Sequence, residues 1–191
     1  MRFKRGSNNL VGEIPLTGSF LVAHPSLLDP NFKKTVVLLT AHSAEEGALG
    51  VVVNRPSGKT LGELRPEFKG KDIAETPIFY GGPVGADQLI LAAWKWCLNE
   101  GSFKLYFGVN EAKARELLEN DPQFKLFAFL GHSGWGENQL EEELSESAWV
   151  VSPLIPEFEQ QPEEVLWRQL LLQGPPEMRL LVDEPEDPSL N

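Results

Sequence analysis

Only one cysteine occurs in the 191 residues, Cys97, and a single thiol cannot close an internal disulfide. Flanked by Trp96 and Leu98, it reads as a packed thiol rather than a reactive one. Histidine is nearly as scarce. His24, His42 and His132 stand far apart, without a His-x-x-x-His or a cysteine pair, so metal-ligand spacing is missing and no metal or other cofactor is expected. Apolar runs such as Val36 to Leu39 and Val51 to Val53 fall far short of the roughly 20 residues that a membrane-spanning helix needs. The basic start, Arg2, Lys4 and Arg5, is not followed before Pro15 by the apolar stretch of about 7 to 15 residues that a secretory signal carries. A cytoplasmic protein without a membrane span is the expectation.

Positive charge is also in short supply, and unevenly so. Residues 1 to 95 carry 11 Lys/Arg and 9 Asp/Glu, whereas residues 96 to 191 carry 6 and 19, giving +2 and -13 within a net charge of -11. Nucleic-acid affinity comes largely from clustered Lys/Arg that neutralise phosphates. Direct nucleic-acid binding is therefore disfavoured, unless folding gathers Lys33, Lys34, Arg55, Lys59, Arg65, Lys69 and Lys71 on one face. With 41% apolar and 24% charged residues the chain has the composition of a globular domain, and its length suits one core. We expect a tail or edge segment over 1–15, a single domain over 16–182 and an acidic disordered C-terminus over 183–191.

Within the domain, the runs Thr35 to Thr40 and Ala48 to Val53 are continuously apolar and rich in β-branched residues, the pattern of strands covered on both faces. The short stretch between them leaves no room for a helical crossover, so they should pair antiparallel. Further strands are expected over Ser19 to Ala23, Ile78 to Tyr80, Leu89 to Trp94, Leu105 to Phe107, Phe124 to Leu130 and Trp149 to Val151. Thr60 and Glu63 spell a capping box for a short helix, and Asn110 is a good N-cap for a helix over Glu111 to Glu119. Leu140 and Leu144 give one apolar stripe to an acidic helix beginning near Asn138. Pro162 at a first turn, then Leu166, Trp167, Leu170 and Leu171 before Gly174 and Pro175, punctuate a last helix. Hairpins mixed with helices in this order specify an α+β domain with a mixed, mostly antiparallel sheet rather than a doubly wound parallel one.

Three stretches come close to catalytic motifs and fail. Gly58, Lys59 and Thr60 lie between strand and helix as in a phosphate-binding loop, but Val53 stands where the first glycine is needed and Pro56 removes a cradle N–H. Gly131, His132, Ser133 and Gly134 resemble a nucleophile elbow, until Trp135 replaces its last glycine. Gly81, Gly82, Pro83, Val84 and Gly85 lack dinucleotide spacing and lead into a strand, so a turn is the simpler reading. Glu141, Glu142 and Glu143 are consecutive and splay around their helix, which reads as a solvated face.

Taken in order, Gly18 to Phe32, Lys34 to Leu39, His42, Gly47 to Pro56, Gly81 to Pro83 and Gly131 to Gly136 through Gln139 to Glu141 resemble the YqgE/AlgH family of bacterial proteins, some labelled transcriptional regulators. The resemblance implies one α+β domain whose mixed sheet curls into a partial barrel with flanking helices, and no established catalysis. The family often carries Tyr and Ala where His132 and Ser133 stand here, which removes support for a Ser133 nucleophile. The reading is an uncharacterised binding or regulatory protein that affects transcription, if at all, through an unknown protein or small-molecule partner. The alternative is a small hydrolase or transferase using Ser133 and a histidine. The candidate binding residues are Asn54, Arg55, Gly81, Gly82, Gly131, His132, Ser133, Gly134 and Trp135. Arg55 could pair a carboxylate or phosphate of a ligand, or equally an internal acid.

Overall fold

Alternation along the strands explains why their sequences are apolar without a break. The computed structural model describes residues 2–4, 16–43, 45–161 and 163–182. In chain order its regular elements are β1 (Arg2–Lys4), β2 (Phe20–Ala23), β3 (Val36–Ser43), β4 (Gly47–Val52), β5 (Pro56–Thr60), α1 (Leu61–Leu64), β6 (Pro77–Tyr80), β7 (Val84–Cys97), β8 (Ser102–Val109), α2 (Glu111–Asn120), β9 (Lys125–Trp135), α3 (Gln139–Ser145), β10 (Trp149–Ser152), α4 (Glu163–Gln173) and α5 (Pro176–Val182). Phe20, Val22, Val36, Leu38, Val51, Trp94, Phe103, Phe127 and Phe129 share one cluster, while their neighbours Leu21, Ala23, Val37, Leu39 and Val52 belong to another. Ile78, Leu91, Ala93, Leu126 and Ala128 form a third. Successive side chains of a strand point to opposite faces, so both faces of the sheet are buried.

The main path through the sheet runs β1-β8-β7-β9-β4-β3-β2-β10, with β6 beside β9 and β5 beside β6. Among the described residues only the β6–β9 pairing is parallel; the rest are antiparallel. This is the mixed α+β domain expected, its sheet curled into a half-barrel. Curling is visible in the packing. The first cluster draws residues from β2 to β8 across the whole sheet, which only a concave face can do, and the opposite face carries two separate clusters. Inside the curl, Trp94 stacks on Phe127 with ring centroids 4.0 Å apart, and Phe158 covers it at 5.4 Å. Helix α4 closes this face with Leu166, Leu170 and Leu171, each buried, at about 1.5–3 kcal/mol apiece. On the other face α2 covers one cluster with Ala114 and Leu117, and α3 covers the other with Leu140.

Helix starts follow their caps. The Asn110 side chain accepts from the Lys113 N–H at 2.8 Å, and the Glu63 carboxylate accepts from the Thr60 N–H at 2.8 Å. Two local expectations need correction, and one helix was not anticipated. Gly58 to Thr60, expected to connect a strand to a helix, belongs to β5, held by the pairings Pro56 with Phe79 and Thr60 with Pro77. Gly131 to Trp135, expected to lie beyond a strand ending at Leu130, continues β9, because Ser133, Gly134 and Trp135 pair with Gly50, Leu49 and Ala48. Helix α5 had no counterpart in the sequence reading. Within the segment expected as a tail or edge, Arg2–Lys4 forms β1 at one end of the sheet path, in register with Lys104 to Ser102. The remainder of that segment, Pro162 and the acidic C-terminus over 183–191 lie outside the described residues.

Candidate functional site

The glycine-bearing stretches at Gly81–Gly82 and Gly131 meet around the end of β4. The Val52 N–H donates to the Gly81 carbonyl at 2.9 Å, the Gly81 N–H to Leu130 at 2.8 Å, and the Tyr80 N–H to Arg55 at 2.9 Å. The backbones of β6 and β9 touch here so closely that a Cβ on Gly81 would lie 2.4 Å from the Gly131 carbonyl oxygen. Gly131 also has φ +68, a left-handed value that costs a side-chain-bearing residue. The space beside Gly81 and Gly131 is thus filled by facing backbone of Gly131 and Gly82, and that beside Gly82 by the backbone of His132 and Ser133.

Ser133 lies fully buried within this junction, and its hydroxyl donates to the Gly81 carbonyl at 3.2 Å. Adjacent strand residues face opposite sides, so the His132 ring is turned away from the Ser133 hydroxyl. His42 is committed elsewhere, its Nε2 2.7 Å from the Glu141 carboxylate, and that hydrogen bond holds the Glu141 carboxyl below its ordinary range. His24 Nδ1 contacts the Ser26 hydroxyl at 2.7 Å. A nucleophile needs a base within hydrogen-bond reach and a path for substrate, and the Ser133 environment supplies neither.

Trp135, 6% exposed, packs into the cluster under α3 beside Trp149, whose ring centroid is 5.9 Å away. Both indoles donate to one oxygen of Glu143, at 2.9 and 2.7 Å, and the Gln139 amide donates to the other at 2.8 Å. The solvated reading of the glutamate run therefore holds for neither Glu141 nor Glu143.

Asn54 and Arg55 act on a different part of the chain. Asn54 is 3% exposed, accepts from the Val36 N–H at 2.8 Å and donates to the Lys34 carbonyl at 3.0 Å. The Arg55 guanidinium donates to the carbonyls of Asn31, Pro30 and Lys33 at 2.7, 3.1 and 3.0 Å. Together they clamp the loop between β2 and β3.

That loop forms one wall of a cleft of about 500 Å³, with α4 and α5 as the other. Volumes of roughly 300–1,000 Å³ are typical of small-molecule sites. Leu28, Val165, Trp167 and Leu181 give it apolar surface, and among the described residues Lys33, Lys34, Arg168 and Glu164 give it charged groups. Lys34 approaches Glu164 at 3.5 Å, and its ammonium lies 5.9 Å from the centre of the Trp167 ring. None of the nine residues singled out in the sequence lines this cleft. Two sequence signals pointed towards it: the Lys33–Lys34 pair after an Asp-Pro-Asn turn, and Arg168, one of only six Lys/Arg beyond residue 95.

Among the described residues no helix is long and apolar enough to cross a membrane. The family model described as "DUF179: AlgH-like" matches residues 20–178. A UPF0301 protein of Streptomyces coelicolor is 37% identical over 92% of this chain and 95% of its own, and one of Anaeromyxobacter dehalogenans is 39% identical over 73% and 77%. The solution structure of the AlgH protein from Pseudomonas aeruginosa superposes with a TM-score of 0.60 at 29% identity, covering 93% of this chain and all of that one. A crystal structure from Corynebacterium diphtheriae, at 23% identity and a TM-score of 0.69 over 92% of this chain and 95% of that one, shares the fold. The curled sheet, the interlocked glycine corners and the family match lead to one statement of identity: this chain belongs to the uncharacterised AlgH-like family.

Proposed function

We propose that the protein is a non-catalytic binding module of the cytoplasm that holds a small molecule in the cleft between the β2–β3 loop and helices α4 and α5. The observation that carries this reading is the cleft itself, with an apolar lining and charged groups beside it. The burial of Ser133 and its donation to a backbone carbonyl weigh against the hydrolase alternative. Any effect on transcription then runs through the ligand or a protein partner. The cations of the first half do not favour a DNA-binding face: Lys71 pairs with Glu111 at 2.8 Å, and Arg65 donates to the Asp87 carbonyl.

Thermal-shift screening against a metabolite panel tests the proposal, since a ligand at 100 times its Kd stabilises the native state by about 2.7 kcal/mol. Stabilising compounds should lose their effect on Val165→Trp, which fills the cleft from an exposed position. If every stabilising compound acts equally on both proteins, the cleft is not the site. Esterase activity abolished by Ser133→Ala would overturn the non-catalytic reading.

A further inference from the structure

We infer that Ser26 is an acyl-acceptor site on the wall of the cleft: its hydroxyl, hydrogen-bonded to His24, takes the acyl group of an activated ester whose apolar chain lies against Leu28, Val165 and Leu181. The inference rests on the cleft being a binding site and goes beyond it by adding a reaction of the molecule held there.

The hydrogen bonds around His24 are the first argument. The Ser26 N–H donates to His24 Nδ1 at 3.2 Å, and the Ser26 hydroxyl oxygen lies 2.7 Å from the same nitrogen. A ring nitrogen that accepts from a backbone N–H carries no proton of its own, so the hydroxyl is the donor in the shorter contact. A serine hydroxyl donating to an unprotonated imidazole nitrogen is the arrangement that activates its oxygen as a nucleophile. Ser26 also has the access that the buried Ser133 has not. It is exposed, and with His24 and Pro25 it lines the cleft.

The backbone that holds the pair is the second argument. The Leu27 N–H donates to the His24 carbonyl at 2.9 Å, closing a turn with Pro25 and Ser26 at its centre, and Pro25 fixes the φ angle between the two reacting groups. The His24 N–H is held in turn by the Ala148 carbonyl at 2.9 Å. Hydroxyl and imidazole are therefore set against each other before a ligand arrives, which removes part of the ordering cost of the reaction.

The apolar surface names the class of donor. Leu28 and Val165 are 73% and 47% exposed, and both line this cleft together with Leu181. An acyl chain laid on them leaves water along with them, and its carbonyl end then meets the Ser26 wall. The Ser26 oxygen bonds to the carbonyl carbon while its proton passes to His24 Nδ1. The bond from that carbon to the leaving oxygen or sulfur breaks next, and the leaving atom carries the proton away. An acyl-serine and an alcohol or thiol result, with nothing oxidised or reduced. One acyl group is transferred and stays, so the protein is the product of this step and not its catalyst.

Incubation of the protein with para-nitrophenyl hexanoate, followed by peptide mass mapping, tests the inference. Ser26 should carry the hexanoyl group, and para-nitrophenyl acetate, which lacks most of the chain, should label it at least about tenfold more slowly. Ser26→Ala should lose the label. His24→Gln keeps an acceptor for the Ser26 N–H but takes up no proton, and should slow labelling about a hundredfold. Val165→Trp should slow hexanoyl transfer at least about tenfold and leave acetyl transfer within about twofold. Label confined to lysines, equal rates in the intact protein and His24→Gln, or acetyl transfer as fast as hexanoyl transfer would each overturn the inference. An unlabelled Ser26 in a protein whose stabilising compounds still depend on Val165 would remove the reaction and leave the binding site. Stabilisation and labelling both unchanged by Val165→Trp would remove the site as well.

Discussion

Glu143 gathers three donors on one carboxylate, and its two indole partners come from the strands on either side of its helix, β9 and β10. Glutamine at this position would be isosteric but has one acceptor oxygen. Turned toward Trp135 and Trp149 it would set its own NH₂ against the Gln139 amide, donor against donor, and the charge that strengthens both indole bonds would be gone. Glu143→Gln is therefore expected to lose about 1.5–3 kcal/mol. Urea unfolding followed by tryptophan emission measures it, and an unchanged midpoint would show that the carboxylate carries no such weight. Sequence reasoning placed the helix correctly and missed this role. Three consecutive glutamates have no common face, so the pattern alone cannot tell which one lies over a tryptophan; that depends on how β9 and β10 flank the helix.

Strands buried on both faces were the most legible elements, because an unbroken apolar run has few other uses in a chain of this composition. β2, β3, β4 and the middle of β7 were readable for that reason. β9 was less legible. Gly131 reads as the point just past a strand end, yet here it is the bend at which β9 leaves β6 and, keeping a pairing of His132 with Val84 of β7, begins to pair with β4. Glycine permits a turn and a kinked strand equally, and only the partner strands decide between them. The same ambiguity hid β5, whose polar residues carry no burial signal, and α5, which starts just after the Gly174–Pro175 stop. The cleft was not legible, because it depends on α4 and α5 meeting a loop more than a hundred residues away. Gly131→Ala tests the bend. Its Cβ would stand 2.5 Å from the Gly82 carbonyl oxygen at a φ of +68, so a loss of at least about 2 kcal/mol is expected. Denaturant unfolding reads it, and a loss below about 1 kcal/mol would mean that β9 relaxes there at little cost.

At the scale of the whole molecule, an excess of carboxylates makes the acid limb of stability the informative one. Lys95 on β7, with a side chain only 11% exposed, hydrogen-bonds Asp121 in the connection between α2 and β9 and lies 5.2 Å from the Phe124 ring centre. The Lys95 hydrogen bond, with help from the Gln123 N–H, holds the Asp121 carboxyl below its ordinary 3.8, and the same bond raises Lys95 above 10.5. A depressed carboxyl stabilises the fold above its unfolded pKa and ceases to do so as pH falls through the folded value. A raised amine stabilises below its unfolded pKa and ceases to do so as pH rises through the folded one. Both contributions are thus present together from about pH 5 to pH 10. Lys95→Met keeps the aliphatic stem over Phe124 and removes the charge. The gap in unfolding free energy between the two proteins should be constant across that window, narrow below pH 3.8, and narrow again above pH 10.5. Urea midpoints taken in pH steps provide the measurement. A gap that stays constant down to about pH 2 would mean that Lys95 stabilises the sheet edge by packing alone, whereas one that closes in acid makes the ion pair the tie between β7 and the turn that launches β9.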